Sequence, residues 1–168
     1  KSSSSSSSSP STTTTGDVVS PPSQIENERC TQSSSMIAEM LVRIASNPAP
    51  FLHPLLVRQA ADAMGSLASW IDIHSEITGT TTALQASLSF LVSSLGGGGT
   101  GERVAKSLQR VLAKCGRWIL QTPNMLPQLI QRINQSSNSL AAVSRRSLID
   151  GLATVVVKVS ICCLCPRG

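Results

Sequence analysis

Six segments of this sequence carry apolar residues at helical spacing, and runs of proline, glycine or serine separate the segments. In the first segment, Met36, Ile37, Met40 and Leu41 recur at steps of three and four residues, which places them on one face of an α-helix. The same spacing continues over residues 52–71, 80–95, 101–120, 125–133 and 140–159. The pattern therefore predicts an all-α fold of about six helices.

Short connections separate these helices. Residues 47–50, which include two prolines, end the first helix, and residues 72–79 are predicted as a loop after the second. Residues 96–99 are all glycine, Thr122-Pro123 interrupts the chain again, and residues 136–139 form a polar turn. Because short connections make consecutive helices neighbours, the helices are expected to form three antiparallel pairs.

The pairs recur along the chain at intervals of about 45 residues, which is the length of a HEAT repeat. Equivalent positions are Leu41, Leu88 and Ile133 in the first helix of each pair, and Leu67, Val111 and Leu152 in the second. One helix pair cannot bury its apolar face alone, so neighbouring pairs must stack. Residues 32–160 are therefore predicted to form a HEAT-like α-solenoid of about six antiparallel helices in three pairs.

The core of such a stack has to be aliphatic, because the sequence contains no Tyr, two Trp and two Phe. Leu, Ile, Val, Ala and Met suit close helix–helix packing, whereas a β-sandwich favours aromatic and β-branched residues. Proteins that bind single-stranded nucleic acid stack bases on aromatic side chains. We therefore expect no direct nucleic-acid partner, although the net charge of +5 mildly favours acidic partners.

Both ends of the chain differ in composition from the helical segments. Residues 1–31 are rich in Ser, Thr and Pro, and they contain too few apolar side chains to offset the entropy of ordering, so a disordered tail is predicted. Residues 161–168 are predicted to be an unstructured tail that contains cysteines. The sequence shows no secretory leader and no run of ~18 apolar residues, so no membrane partner is expected.

The cysteines do not suggest a disulfide framework. Cys115 falls on an apolar helix face, and a buried free thiol in a reducing compartment is predicted there. Cys162, Cys163 and Cys165 lack a fourth ligand and a nearby histidine, so no zinc site is expected. Pro166-Arg167-Gly168 is not the aliphatic motif that prenylation of Cys165 would require.

One loop matches a nucleotide-binding pattern. Residues 96–101 satisfy G-x-G-x-x-G, but Glu102 and Arg103 stand where a phosphate loop needs Lys and Ser or Thr, and the preceding segment has helical period. His53, at a helix start, and His74, in the predicted loop, belong to no recognisable catalytic signature. We therefore predict an interhelical loop and no enzyme, catalytic residue or cofactor. A nucleotide-binding enzyme remains the third interpretation of the chain.

The sharpest local feature is a row of cations on the fourth predicted helix, at steps of three and four residues. This basic stripe consists of Arg103, Lys106, Arg110, Lys114 and Arg117. The five residues fall on one face, opposite the apolar residues of the helix. An acidic or phosphorylated partner could dock there. The alternative is an ordinary solvated face, since the stripe has no local acid apart from Glu102.

Several segments together resemble consecutive helices of one protein family. HPLLVRQAADAMGSLASWI, residues 53–71, looks like the second helix of a HEAT repeat in the importin-β superfamily, in its transportin-SR and importin-thirteen branch. ALQASLSFLVSSL resembles the following helix, and in ERVAKSLQRVLAKCGRWIL the residues Ala105, Lys106 and Cys115 stand at matching offsets. MLPQLIQRINQ and SRRSLIDGLATVVVKV are similar to the next pair. The resemblance covers residues 32–160, or about three repeats.

The resemblance implies a protein-binding segment of a nuclear import receptor. Such a receptor carries protein cargo through the nuclear pore under the control of the GTPase Ran, contacts nucleoporins, and is found in both cytoplasm and nucleus. Second helices of HEAT pairs line the binding surface in this family. Arg58 and Arg145, on the helices next to the basic stripe, are therefore added to the stripe as candidate partner-binding residues.

Parts of the chain depart from the family. The repeats that carry the main Ran contact are not among these three, and neither residues 1–31 nor the final ICCLCPRG resembles the family. The chain begins with Lys1 rather than Met, and we expect it to be a piece of a longer solenoid. The alternative function is a general HEAT or armadillo scaffold that binds proteins without Ran.

Overall fold

The computed structural model describes residues 22–47, 52–96, 99–137 and 140–164. Seven helices are described there, with bounds α1 Pro22–Ala45, α2 Pro54–Ser66, α3 Ala68–Thr78, α4 Thr82–Ser93, α5 Gly101–Gln121, α6 Met125–Ser137 and α7 Ala142–Leu164. These ranges contain no strand, so the predicted all-α class is confirmed for them. None of the seven helices is long and apolar enough to cross a membrane.

The two terminal helices extend beyond the segments predicted from apolar spacing. α1 begins at Pro22, before the apolar pattern starts at Met36, and so includes residues 22–31 of the predicted tail. Proline is tolerated in a first helical turn, and the Gln, Glu and Arg residues that follow it favour helix. α7 similarly includes residues 161–164. The rest of both predicted tails, residues 1–21 and 165–168, lies outside the described residues.

The predicted helix over residues 52–71 is two helices, α2 and α3. Leu67 separates them with φ −82° and ψ 2°, while its amide still donates to the Ala63 carbonyl at 2.9 Å. The loop predicted over residues 72–79 is wrong, because α3 continues to Thr78. It ends at Gly79, whose φ of 66° is the left-handed conformation that glycine adopts without a Cβ clash.

Helix α5 lies at the centre of the packing. It contacts α2 and α3, α7, α4 and α6, whereas α1 contacts α4, which in turn contacts α6. By these contacts the described helices fall into two rows, α1–α4–α6 and α2/α3–α5–α7. Between the rows, α4 contacts α2, α3 and α5, and α6 contacts α5. The α2/α3–α5–α7 row holds every residue of the basic stripe.

The core is mainly aliphatic, as the composition predicted, and Phe90 is an aromatic side chain buried within it. Leu84 and Leu91 of α4, and Val104, Leu108 and Ile119 of α5, are all fully buried. Burying a side chain of this size contributes about 1.5–3 kcal/mol. The apolar side of α5 is therefore fixed by packing, and its basic side is left to face α2, α3 and solvent.

The contact between α2 and α5 requires Gly65. A Cβ at this position would lie 2.9 Å from both Cβ and Oγ of Ser107, and 3.0 Å from the Ser107 Cα. These distances are shorter than side chains tolerate, and the Ser107 backbone is held inside a long helix. Gly65 therefore allows the two helices to approach closely beside the basic stripe.

Candidate functional site on the basic face of helix α5

The basic stripe lies along α5 as predicted, and its two ends differ from its middle. Arg103, Lys106, Arg110 and Lys114 are exposed, and Arg117 is half-buried. Several of these cations have acidic partners within the described residues, so the stripe is not a uniform positive surface.

Two cations near the start of α5 are paired. Arg103 Nη1 donates to Asp62 Oδ2 of α2 at 3.1 Å, and Lys106 Nζ donates to Glu102 Oε1 at 2.8 Å. The hydrogen bond from Lys106, and then its charge, hold the pKa of Glu102 below its usual range. Since these side chains are about half exposed, the pairs add little to stability.

The end of the stripe is a closed network between α3 and α5. Arg117 donates from Nε to Asp72 Oδ1 at 3.1 Å and from Nη2 to Glu76 Oε2 at 2.7 Å. Trp118 Nε1 donates to the same Asp72 oxygen at 2.9 Å, and the guanidinium lies 4.8 Å from the Trp118 ring centroid. The hydrogen bonds with Glu76 and then Asp72 raise the pKa of Arg117.

The expectation that only Glu102 is a local acid is therefore wrong. Asp62, Asp72 and Glu76 come from α2 and α3 and precede their partners by 41, 45 and 41 residues respectively. The predicted repeat of about 45 residues was the signal that could have found them, because stacked repeats of that length would place these acids opposite the cations.

Two cations of the stripe keep their charge uncompensated. Arg110 and Lys114 are exposed, one helical turn apart, and no ion pair involves either within the described residues. The two weaker candidates also lack an ion pair there. Arg58 is half-buried on α2, and Arg145 is exposed on α7.

A polar cleft of about 390 Å³ opens between α2 and the first half of α5. It is lined by Asp62, Gly99, Glu102, Arg103, Lys106, Ser107 and Arg110. Three cations and two carboxylates line it, which leaves one net positive charge. The Ser107 hydroxyl is buried and, like that of Ser75, has no hydrogen-bond partner among the described residues. Sequence patterns did not identify Ser107 or Asp62 as site residues, because their juxtaposition depends on how α2 crosses α5.

The two histidines have structural contacts. His53 Nδ1 accepts a hydrogen bond from the Leu55 amide at 3.3 Å and so caps the start of α2. His74 lies in α3 rather than in a loop, where Nδ1 is 2.8 Å from Ser34 Oγ of α1. Its ring stacks on Trp70 with 4.7 Å between centroids. Neither histidine lies beside a nucleophile and a carboxylate in a catalytic arrangement.

Cys115 is a buried free thiol, as predicted, and its Sγ donates to the Ala68 carbonyl at 3.4 Å. Of the other candidate ligands, Cys162 and Cys163 fall within α7, and Cys165 lies outside the described residues. The described part of the chain brings together no group of three His, Cys, Asp or Glu that could hold a metal. The glycine-rich segment follows helix α4 and not a strand, unlike a phosphate loop.

A larger apolar groove, about 800 Å³ in volume, lies between α1 and α3. Ile37 and Ala38 line one wall, and Trp70, Ile73 and Ile77 line the other. Ile73 and Ile77 are largely exposed, although the α3 segment that carries them was predicted to be a loop. The groove adjoins the core, because Trp70 also packs against the hydrophobic core and His74 is buried.

Comparisons with known proteins identify no relative. No protein-family model, no curated protein and no solved structure matches this chain. A function for the chain has to be inferred from its own residues and contacts.

Proposed function

We propose that the chain is a protein-binding segment built as a HEAT-like α-solenoid of three helix pairs. The pairs are α1 with α2/α3, α4 with α5, and α6 with α7. The supporting observation is the regular spacing of contacts within each row. Hydrogen bonds join Arg103 to Asp62, Cys115 to Ala68 and Arg132 to Ser89, at separations of 41, 47 and 43 residues. Such spacing is expected where consecutive repeats of about 45 residues stack.

The binding surface in this proposal is the α2/α3–α5–α7 row. Its middle helix presents Arg110 and Lys114, whose charges no acid in the described residues compensates. An acidic protein surface would supply the missing counter-charges without any covalent step. Arg58 and Arg145 extend this surface onto the flanking helices. Arg103, Lys106 and Arg117 contribute less, because their charges are already paired.

The more specific proposal is a segment of an importin-β-type nuclear import receptor. It rests on the sequence resemblance of residues 32–160, and it assigns protein cargo, Ran and nucleoporins as partners of the parent protein. It also assigns the parent protein to cytoplasm and nucleus. The alternative is a HEAT or armadillo scaffold without Ran dependence, which has the same surface but no nucleotide-controlled release.

The test of protein binding is affinity capture from cell extract, quantified by mass spectrometry. The chain is compared with the double variant Arg110→Glu/Lys114→Glu, which should lose most of its captured proteins while its circular dichroism is unchanged. The matched control is Arg43→Glu/Gln131→Glu/Gln135→Glu, which makes the same change in net charge at exposed positions of α1 and α6, outside the proposed surface. If the control loses as much as the double variant, net charge and not this face controls capture, and the proposed surface is wrong.

Ran separates the two versions of the proposal. Captured complexes of the full-length gene product are incubated with purified Ran loaded with GTP or with GDP. Release by the GTP form alone supports the receptor. Retention in both cases contradicts the receptor and leaves the scaffold.

A further inference from the structure

We propose that the polar cleft between α2 and α5 binds a single side-chain carboxylate, from Asp or Glu of an acidic partner segment. The cleft belongs to the proposed binding surface, so this inference rests on the proposed function and adds the chemical group that is recognised. Two independent observations support it. The Ser107 hydroxyl has no hydrogen-bond partner within the described residues, and the charged side chains that line the cleft leave one positive charge uncompensated.

Ser107 is a buried donor that the chain itself does not use. A serine within a helix usually donates to the carbonyl four residues earlier, as Ser66, Ser87 and Ser94 do. Ser107 is 1% exposed, and its Oγ has no partner within the described residues, although buried hydroxyls are nearly always hydrogen-bonded. Ser75 is the other buried serine without a partner there, but it does not line the cleft. The hydroxyl therefore has a free O–H to donate to an oxygen atom of a ligand.

Gly65 lets α2 pack directly against Ser107. A Cβ at Gly65 would lie 2.9 Å from Ser107 Oγ, so any larger residue would have to displace the hydroxyl. Ser107 lines the polar cleft together with Asp62 and Arg103, whereas Gly65 does not. The cleft wall therefore includes a serine whose hydroxyl has no partner within the described residues, next to the ion pair of Arg103 with Asp62.

The charge balance indicates a monoanion. Arg103 holds Asp62 and Lys106 holds Glu102, which leaves Arg110 as the one uncompensated charge on the cleft wall. A carboxylate would neutralise Arg110. A phosphate dianion would add a second negative charge beside two carboxylates, and this disfavours it. Arg110 can also bind both carboxylate oxygens through its planar N–H groups.

Ser107 and Arg110 are three residues apart on α5, so their side chains lie on the same side of the helix. Both residues line the cleft, where Arg110 is exposed and Ser107 is buried. Lys114, one turn further along, is equally unpaired but does not line the cleft. It therefore provides the matched control for a charge that lies outside the cleft.

The test is fluorescence anisotropy of the full chain with a short labelled glutamate-rich peptide, its glutamine counterpart and its phosphoserine counterpart. The glutamate peptide should bind, and the glutamine peptide should not. Arg110→Ala should weaken binding by at least about tenfold, and Ser107→Ala by about threefold to tenfold, as expected for hydrogen bonds to a charged group. Lys114→Ala should change the affinity by less than about twofold, since an exposed charge contributes little.

Three results would overturn the inference. Ser107→Ala could leave the affinity unchanged, Lys114→Ala could weaken it as much as Arg110→Ala, or the phosphoserine peptide could bind more tightly with the same dependence on Ser107. Thermal melts control for folding, because removing an unpaired hydroxyl should not destabilise the chain. If capture from extract still requires Arg110 and Lys114 in these cases, the cleft proposal fails while the proposed function stands. If capture does not require Arg110 and Lys114, the proposed function is contradicted, whatever the peptide measurements show.

Discussion

Both ends of the basic face of α5 carry arginine, but they differ in how many of their donors meet an acceptor. At the Arg117 end, every strong donor meets an acceptor, since Asp72 binds both Arg117 and Trp118, and Glu76 binds Arg117 again. Toward the start of α5, a cleft opens beside the close contact of α2 with α5, and there Ser107 and Arg110 keep unused donors although Arg103 and Lys106 are paired. Charge spacing along a helix therefore does not reveal which cations are available, because availability is decided by the neighbouring helix.

The difference follows from which neighbour each end meets. The break at Leu67 divides the neighbour into α2 and α3, and only α3 supplies two acids to one arginine. α2 supplies Asp62 alone, and it can approach Ser107 closely because Gly65 has no side chain. Four substitutions test this contrast, and they are taken from the largest expected effect to the smallest.

Gly65→Ala should have the largest effect on stability. The new Cβ must displace Ser107, and overpacking of this kind costs about 1–3 kcal/mol, of which the higher helix propensity of alanine offsets up to ~1 kcal/mol. Urea unfolding measures the change. The double variant Gly65→Ala/Ser107→Gly removes the two side-chain atoms that clash. It should therefore lose less than the sum of the two single variants, and simple additivity would show that the close approach is unimportant.

Asp72→Ala should disrupt the hydrogen-bond network at the Arg117 end of the basic face. It removes one acceptor from both Arg117 and Trp118, and because both donors can then reach water, we expect a loss of about 1 kcal/mol. Asp72→Asn keeps an oxygen for Trp118 and should lose less. Urea unfolding gives the stability, and tryptophan fluorescence reports the altered surroundings of Trp118. Equal losses for Asn and Ala would mean that the charge, and not the acceptor, holds this end together.

Ser107→Ala should act in the opposite direction. It removes a buried hydroxyl that has no partner and introduces a better helix former, so the chain should gain about 0.5–1 kcal/mol. The melting temperature measures the gain. Ser87→Ala is the control, because the Ser87 hydroxyl donates to the Ala83 carbonyl and its removal should bring a smaller gain. A destabilised Ser107→Ala variant would mean that the hydroxyl does have a partner within the fold.

Lys106→Ala should have the smallest effect, which should be detectable as a change in the pKa of Glu102. The hydrogen bond and charge of Lys106 lower the pKa of Glu102, so the variant should raise this pKa toward its ordinary value, as followed by an NMR titration of the carboxyl group. Arg103→Ala should raise it less, because Arg103 acts only through its charge and more weakly. A larger shift for Arg103→Ala would contradict the pairing of Lys106 with Glu102.

The sign of the linked pH dependence follows from the lowered pKa. The interaction stabilises the folded chain above the unfolded-state pKa of Glu102, and this contribution is lost as the pH falls through the folded-state value. Stability should therefore decrease slightly less on acidification in Lys106→Ala than in the parent chain.

Much of the fold was encoded locally. Apolar spacing located α4, α5 and α6, because glycines and prolines mark their ends and each has one buried side. Residues 72–78 were missed as helix because their apolar residues, such as Ile73 and Ile77, are exposed while His74 and Ser75 are buried. The absence of proline and glycine before Gly79 was the better signal there. Leu67 carries no such mark, so the break between α2 and α3 depends on tertiary packing.

The candidate site was predictable only in part. The sequence located all five cations of the stripe on one helix, since 3.6-residue periodicity determines that alone. Which of them are free depends on Asp62, Asp72 and Glu76, more than 40 residues away in the chain. Ser107 gave no signal at all, because the sequence does not show which helical serines, here Ser75 and Ser107, lack a hydrogen-bond partner within the described residues.

The central place of α5 also determines the order in which the chain would come apart. α5 contacts α2, α3, α4, α6 and α7, whereas α1 is held mainly by α4. Amide protons of α1 should therefore exchange with solvent through local opening, and those of α5 only when the whole chain unfolds. Because the cations of the basic stripe lie on α5, which should open last, the basic face should keep its geometry during such partial unfolding.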